Sequence, residues 1–301
     1  MRRSGGLILS KLSDYGQPFG AIVSATSLNF AIYSRKGCAV KLPIGLRLYF
    51  LFVLAQALLV GSAIIQPSWI TVVLPWDASP LNARFIAALY LMGAISALLC
   101  MIAARYAEVR ISLIEIGFVT GVLLLITVPH FGEFTPQNFP YRWTIFYTID
   151  PLVSALIWWR LRGTDPSLAG RNPLAPLFLT YAAVLGVAGV ILLGLPALAA
   201  SLWPWALPPI LGQVYSVFFL TFALGGVLAA REPSWAGVRV YVLANLGMLL
   251  LIVGVSFWHA DRFKPGPVTW GWYALCLAGV VGFGAVLLRR PGRRLTQGAM
   301  A

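Results

Sequence analysis

The sequence predicts an all-α polytopic membrane protein: eight transmembrane helices in two parallel four-helix repeats, preceded by a short β-hairpin-like cytoplasmic segment. Three observations carry this. Hydrophobic residues make up 59% of the 301-residue chain and charged ones 10%, with a mean hydropathy of +0.84, whereas a soluble domain carries roughly a quarter charged residues. Eight stretches are long and apolar enough to cross a bilayer core, which takes roughly 20 helical residues because only intrahelical bonds satisfy a backbone that water cannot reach. The chain also aligns with itself, without a gap, at an offset of 129 residues.

In chain order, Asn29 to Tyr33 and Cys38 to Leu42 alternate apolar and polar residues around Ser34-Arg35-Lys36-Gly37, the pattern of a half-buried hairpin. Leu7 to Leu9 is too short for the apolar core of a signal peptide and no small-residue cleavage site follows, so residues 1–42 are expected to stay in the cytoplasm. Spans follow at 46–66, 82–104, 109–130, 142–160, 175–200, 208–230, 238–258 and 270–288. They divide the chain into a first membrane repeat, 43–163, and a second, 164–301, with a basic C-terminal tail.

Of the 22 Lys and Arg residues, only Arg84, Arg142, Arg262 and Lys264 lie on one side of these spans. By the positive-inside rule the other side, with both termini, is cytoplasmic, and the expected location is a bacterial inner membrane. The net charge of +13 is thereby topological, spread through short loops, and implies the lipid bilayer as partner and no nucleic acid. Trp76, Trp143, Trp205 and Trp272 fall at the ends of spans away from the arginines, where an indole suits the headgroup layer, and read as interface anchors.

The offset of 129 superposes Pro67 on Pro196, Trp76 on Trp205, Pro80 on Pro209, Arg110 on Arg239, His130 on His259, Trp143 on Trp272 and Arg160 on Arg289. Pro, Trp, Arg and His are scarce in apolar helices, so their joint coincidence argues for a duplicated unit. Four spans per unit is even, so both copies insert in the same direction, about an axis along the membrane normal.

Gly16, Pro18, Gly20-Ala21, Asn29-Phe30-Ala31, Ser34, Val40 and Leu42 give residues 15–42 a resemblance to the start of carbohydrate-binding module family 48, the N-terminal β-sandwich of isoamylase-type and glycogen-debranching enzymes. The resemblance covers 28 residues and implies a truncated sandwich: the further strands and the (β/α)₈ barrel with its catalytic carboxylates have no counterpart, so no family site residue carries over. It implies a gene-fusion remnant or an over-extended start joined to a membrane protein. Residues 43–301 resemble uncharacterised multi-spanning bacterial membrane proteins.

Ionisable groups inside spans are costly and therefore candidates for function. Asp150 sits mid-span, and Pro151 beside it withdraws one helical hydrogen bond. A carboxylate at mid-depth next to a helix break is what a proton- or cation-coupled pathway uses; the alternative is an Asp bonded to a neighbouring helix with Tyr147 or Thr148 nearby. Glu115 is a second candidate, though it lies near the boundary, where pairing with Arg110 is the structural reading. Their repeat equivalents, Gly279 and Ala244, are not ionisable, so the site is asymmetric. His130 with Glu133 and His259 with Asp261 form a symmetric pair that can be read as a zinc, copper or haem site, or as interfacial histidines in solvated loops.

Gly117 and Gly121 form a GxxxG suited to close helix packing. The three cysteines, Cys38, Cys100 and Cys276, are scattered and read as free thiols. No phosphate-cradling loop, G-x-S-x-G, H-E-x-x-H or C-x-x-C occurs, so no catalytic residue is assigned. The expectation is a small-solute or ion permease; the alternatives are a scaffold or sensor subunit, as a homo-oligomer or with a membrane partner, and a membrane-attached accessory of glycogen or starch metabolism.

Overall fold

Proline and serine set most of the helix starts. Pro80 and Pro209 open α2 (Pro80–Ile102) and α7 (Pro209–Arg231), each 23 residues long, because a proline at the first helical position gives up an N–H that would be unpaired anyway. Ser79 caps α2 by accepting from the Asn82 N–H, and Ser234 caps α8 (Trp235–Trp258) by accepting from Gly237. The other helices are α1 (Ile44–Gly61), α3 (Arg110–Thr127), α4 (Tyr141–Leu161), α5 (Ala175–Gly194), α6 (Pro196–Leu202) and α9 (Pro267–Arg289). The computed structural model describes residues 42–72, 78–133, 140–163 and 172–289. The N-terminal hairpin, Trp76 and the side chain of Glu133 lie outside the described residues.

No strand forms among the described residues, and seven helices are long and apolar enough to cross a membrane: Ile44–Ile64, Pro80–Ile102, Arg110–Gly132, Ala175–Gly194, Pro209–Arg231, Trp235–Trp258 and Pro267–Leu288. Helix α4, read from the sequence as an eighth span, stands apart from them. It runs 21 residues but carries Arg142, Asp150 and Arg160. The span expected at 175–200 is two helices. Leu195 leaves helical geometry (φ −132°, ψ 56°) and Pro196 starts α6, since a proline ring collides with the preceding turn and offers no N–H to continue it.

Packing follows a paired scheme. Helix α1 lies along α2 and α5 along α7; α3 lies along α4 and α8 along α9; α2 then packs on α8 and α3 on α7. These cross-pairs run through the expected boundary at 163/164, so both halves belong to one compact unit, Ala39–Ala301. Two exchanged ion pairs lock the arginine-rich end: Arg110 of α3 bonds Glu232 after α7, and Arg239 of α8 bonds Glu108 before α3 at 2.8 Å. Glu232 is 1% exposed and also accepts from the Ser234 N–H and hydroxyl, so its charge is fully engaged.

The far end is aromatic. Asn82 Oδ1 accepts from Trp205 Nε1 and from the Tyr215 hydroxyl, both at 2.8 Å, beneath a cluster of Phe85, Trp203, Trp205 and Trp272. This corrects the anchor reading: Trp143, Trp205 and Trp272 are buried in protein. An indole can be buried once its N–H is bonded, and Trp272 Nε1 donates to Ser256 at 3.0 Å. Among the described residues, the indoles that face outward are Trp69, Trp258 and Trp270 at this end and Trp158 and Trp159 at the arginine-rich end.

Candidate functional site

The helices of the first half enclose a cavity of about 520 Å³. Its wall brings together Asp150 and Tyr147 of α4, Glu115 of α3, Tyr90 and Ser96 of α2, and Gln56 of α1, with Phe218, Thr221 and Phe222 of α7 closing one side. Arg142 lines it near the start of α4 and Ser112 lies two residues into α3, so the lining extends from the tryptophan-rich end to about 3 Å of the arginine-rich end, at roughly 1.5 Å of rise per residue.

Glycine positions α4. A side-chain carbon at Gly117 would lie 2.9 Å from Ser154 Cβ, and one at Gly121 3.3 Å from Pro151 Cβ, so the GxxxG of α3 lets the Asp150–Ser154 turn approach closely. Pro151 is accommodated within α4, and Tyr49 of α1 braces the same turn, its hydroxyl 2.7 Å from Ser154 Oγ and donating to the Asp150 carbonyl at 3.4 Å. Tyr147 hydrogen-bonds Tyr90 and stacks on Trp143, ring centroids 4.3 Å apart.

Both carboxylates are buried, Asp150 at 2% and Glu115 at 5% exposure. Asp150 Oδ1, Glu115 Oε1 and Gln56 Nε2 each lack a hydrogen-bond partner and are shielded from solvent. The Gln56 amide nonetheless faces the Asp150 carboxylate, at a hydrogen-bonding approach short of a full bond. Neither carboxylate joins an ion pair among the described residues. Leaving one buried polar atom unmade costs about 1–3 kcal/mol, more for a charged group, so three along one cavity is an expensive arrangement.

The pairing of Glu115 with Arg110 does not occur: the guanidinium goes to Glu232. Five residues carry Glu115 about 140° around the helix from Arg110, turning it toward α7. There Gly225 leaves room for the carboxyl group, which any side chain at that position would overlap.

The histidines are not in the cavity lining. His130 lies half-buried in the 3₁₀ turn Val128–Glu133 that continues α3. His259 ends α8, and its Nε2 accepts from Arg84 Nη1 at 2.9 Å while the Arg84 guanidinium stacks over Trp258 at 4.3 Å. Partial burial, and then the Arg84 charge, lower the affinity of His259 for a proton. Asp261 turns to Arg262 at 3.0 Å. No group of three or more His, Cys, Asp or Glu among the described residues is placed to hold a metal ion.

Sequence reasoning missed Gln56, Tyr90, Gly225 and the Ser96–Ser112 hydrogen bond of 2.8 Å. Gln56 could have been found, as a lone amide in an otherwise apolar helix. No family model, curated protein or solved structure matches the chain.

Proposed function

We propose that the chain is a permease for a small polar solute or cation, with the first cavity as its pathway. Asp150 and Glu115 serve as the groups that take up and release a proton or cation, and Gln56 and the Tyr90–Tyr147 pair orient what passes. One observation supports this above the rest: three polar atoms that complete no hydrogen bond, two of them carboxylate oxygens, belong to side chains lining the same cavity. A packing role alone would have satisfied them or replaced them by apolar groups. The carboxylates sit at different depths, Asp150 near the middle of α4 and Glu115 nearer the arginine-rich end, which suits a stepwise hand-over.

The same reading takes α4 as an eighth crossing, its charges tolerated because Asp150 faces the cavity rather than lipid, and the bundle as a duplicated four-helix unit. Supporting the duplication, each pair of packed helices in one half has a packed pair in the other. The arginine-rich end is assigned to the cytoplasm.

The test is proton flux into vesicles containing the full-length protein, followed with an entrapped pH dye under an imposed potential. Flux that dicyclohexylcarbodiimide blocks, with the adduct mapped to Asp150 or Glu115, and that Asp150→Asn abolishes, is the expected result. Flux equal to that of empty vesicles, with neither carboxyl modified, overturns the reading and favours a scaffold.

A further inference from the structure

The offset of 129 carries the wall of the first cavity onto a second cavity of about 390 Å³ enclosed by α5, α7, α8 and α9. Shape-determining positions correspond: Trp272 stands for Trp143, Leu275 for Phe146, Ile252 for Leu123. The polar ones do not. Where the first wall has Gln56, Tyr90, Thr120 and Asp150, the second has Leu185, Phe219, Leu249 and Gly279. The twin thus lacks counterparts of these four polar side chains, keeping Thr180, Tyr181 and Cys276, while its volume stays open, although dense packing is the usual fate of an apolar interior.

One polar group stays unanswered. Trp203, 8% exposed, forms part of this wall, and its indole Nε1 has no hydrogen-bond partner. The cavity also borders the protein surface, since Leu177, Val184 and Leu275 line it and are 38%, 41% and 45% exposed. Helix α5 packs along α7 and α9 along α8, and these two are the least buried of the seven apolar helices. The surrounding medium at that surface is hydrocarbon. Along α9 the lining runs from Val268 to Phe283, about 22 Å at roughly 1.5 Å per residue, most of the depth of a bilayer core.

We infer that the second cavity is a lipid site that takes one acyl chain of an ester-linked phospholipid between α5 and α9, with the ester carbonyl accepting the Trp203 indole N–H. The chain replaces missing packing, and the carbonyl completes the one open donor. This holds whether or not the first cavity transports.

The experiment places the full-length protein in phosphatidylethanolamine vesicles doped with phosphatidylcholine bearing a diazirine on one acyl chain. After irradiation, adducts should concentrate on the lining segments of α5 and α9. Filling the cavity with Gly279→Phe should lower them about fivefold, equivalent to roughly 1 kcal/mol of binding. Gly282→Leu is the second filler, since a side-chain carbon there meets Leu177 at 3.6 Å, an ordinary contact. Trp203→Phe should weaken labelling by the ester lipid about threefold or more, as loss of one neutral hydrogen bond implies. It should leave labelling by the ether-linked analogue unchanged. Adducts spread evenly over the outward faces of α1 and α9, or labelling indifferent to both fillers, overturns the site; equal sensitivity of the ester and ether lipids to Trp203→Phe overturns the carbonyl contact.

Discussion

Gly225 of α7 lies directly against the carboxyl group of Glu115 on α3, close enough that no side chain fits between them. A glycine in mid-helix costs about 1 kcal/mol relative to alanine. Here alanine cannot be accommodated without moving the acid. We predict that Gly225→Ala destabilises the protein by about 1–3 kcal/mol, the usual range for overpacking, and that Glu115→Ala in the same chain restores part of it, the Tyr241 ring at 2.5 Å from the added carbon remaining. Thermal unfolding of the two single variants and the double variant in detergent measures the coupling; additive losses would show that the two residues do not oppose each other.

Asp150 separates function from stability. Its Oδ1 completes no hydrogen bond, Gln56 only approaching the carboxylate, so Asp150→Ala removes a poorly satisfied group rather than a full bond. Stability should hold or rise by about 1–3 kcal/mol while proton flux is lost. A marked fall in the unfolding temperature would instead make Asp150 a structural residue.

Glu232 behaves oppositely. It anchors Arg110 and the start of α8 together, and Glu232→Ala should cost about 3 kcal/mol because it strands a charge and two donors. Arg110→Ala, at a partly exposed position, should cost less. Denaturant or thermal unfolding compares the two, and equal losses would contradict the buried, many-bonded role given to Glu232.

Much of this was legible in the sequence, for physical reasons that differ by element. Pro80 and Pro209 announce α2 and α7 because proline is tolerated at a helix start and little further in. Asp150, Glu115 and Tyr147 stand out in the sequence because polar groups are rare in apolar helices, and the structure gathers all three around one cavity. Direction around a helix was less legible. Trp143, Trp205 and Trp272 turn inward and Glu115 turns away from Arg110, and that rotation is set by neighbouring helices which a local pattern does not contain. Gly225 was hidden because its role is the space it leaves for another residue.

His259 supplies a pH signature outside the spans. Burial first, and the Arg84 guanidinium second, lower its proton affinity below the ordinary value of 6.5. The folded protein therefore favours neutral His259 and the unfolded chain binds the proton first. The His259 contribution to stability is present above pH 6.5 and is lost as pH falls from there through the lowered folded-state value. Arg84→Gln should flatten this dependence in unfolding temperatures measured across that interval, and an unchanged slope would remove Arg84 as a cause.

The permease reading requires Asp150 to belong to a water-reachable pathway within the membrane bundle. It is tested most directly by Asp150→Cys in a chain whose three native cysteines are alanine, exposed in intact vesicles to a membrane-impermeant charged thiol reagent. Labelling of the folded protein from one face, with a cysteine at lipid-facing Leu152 left unlabelled, is the predicted result. A cysteine at position 150 that reacts only after denaturation would rule out such a pathway.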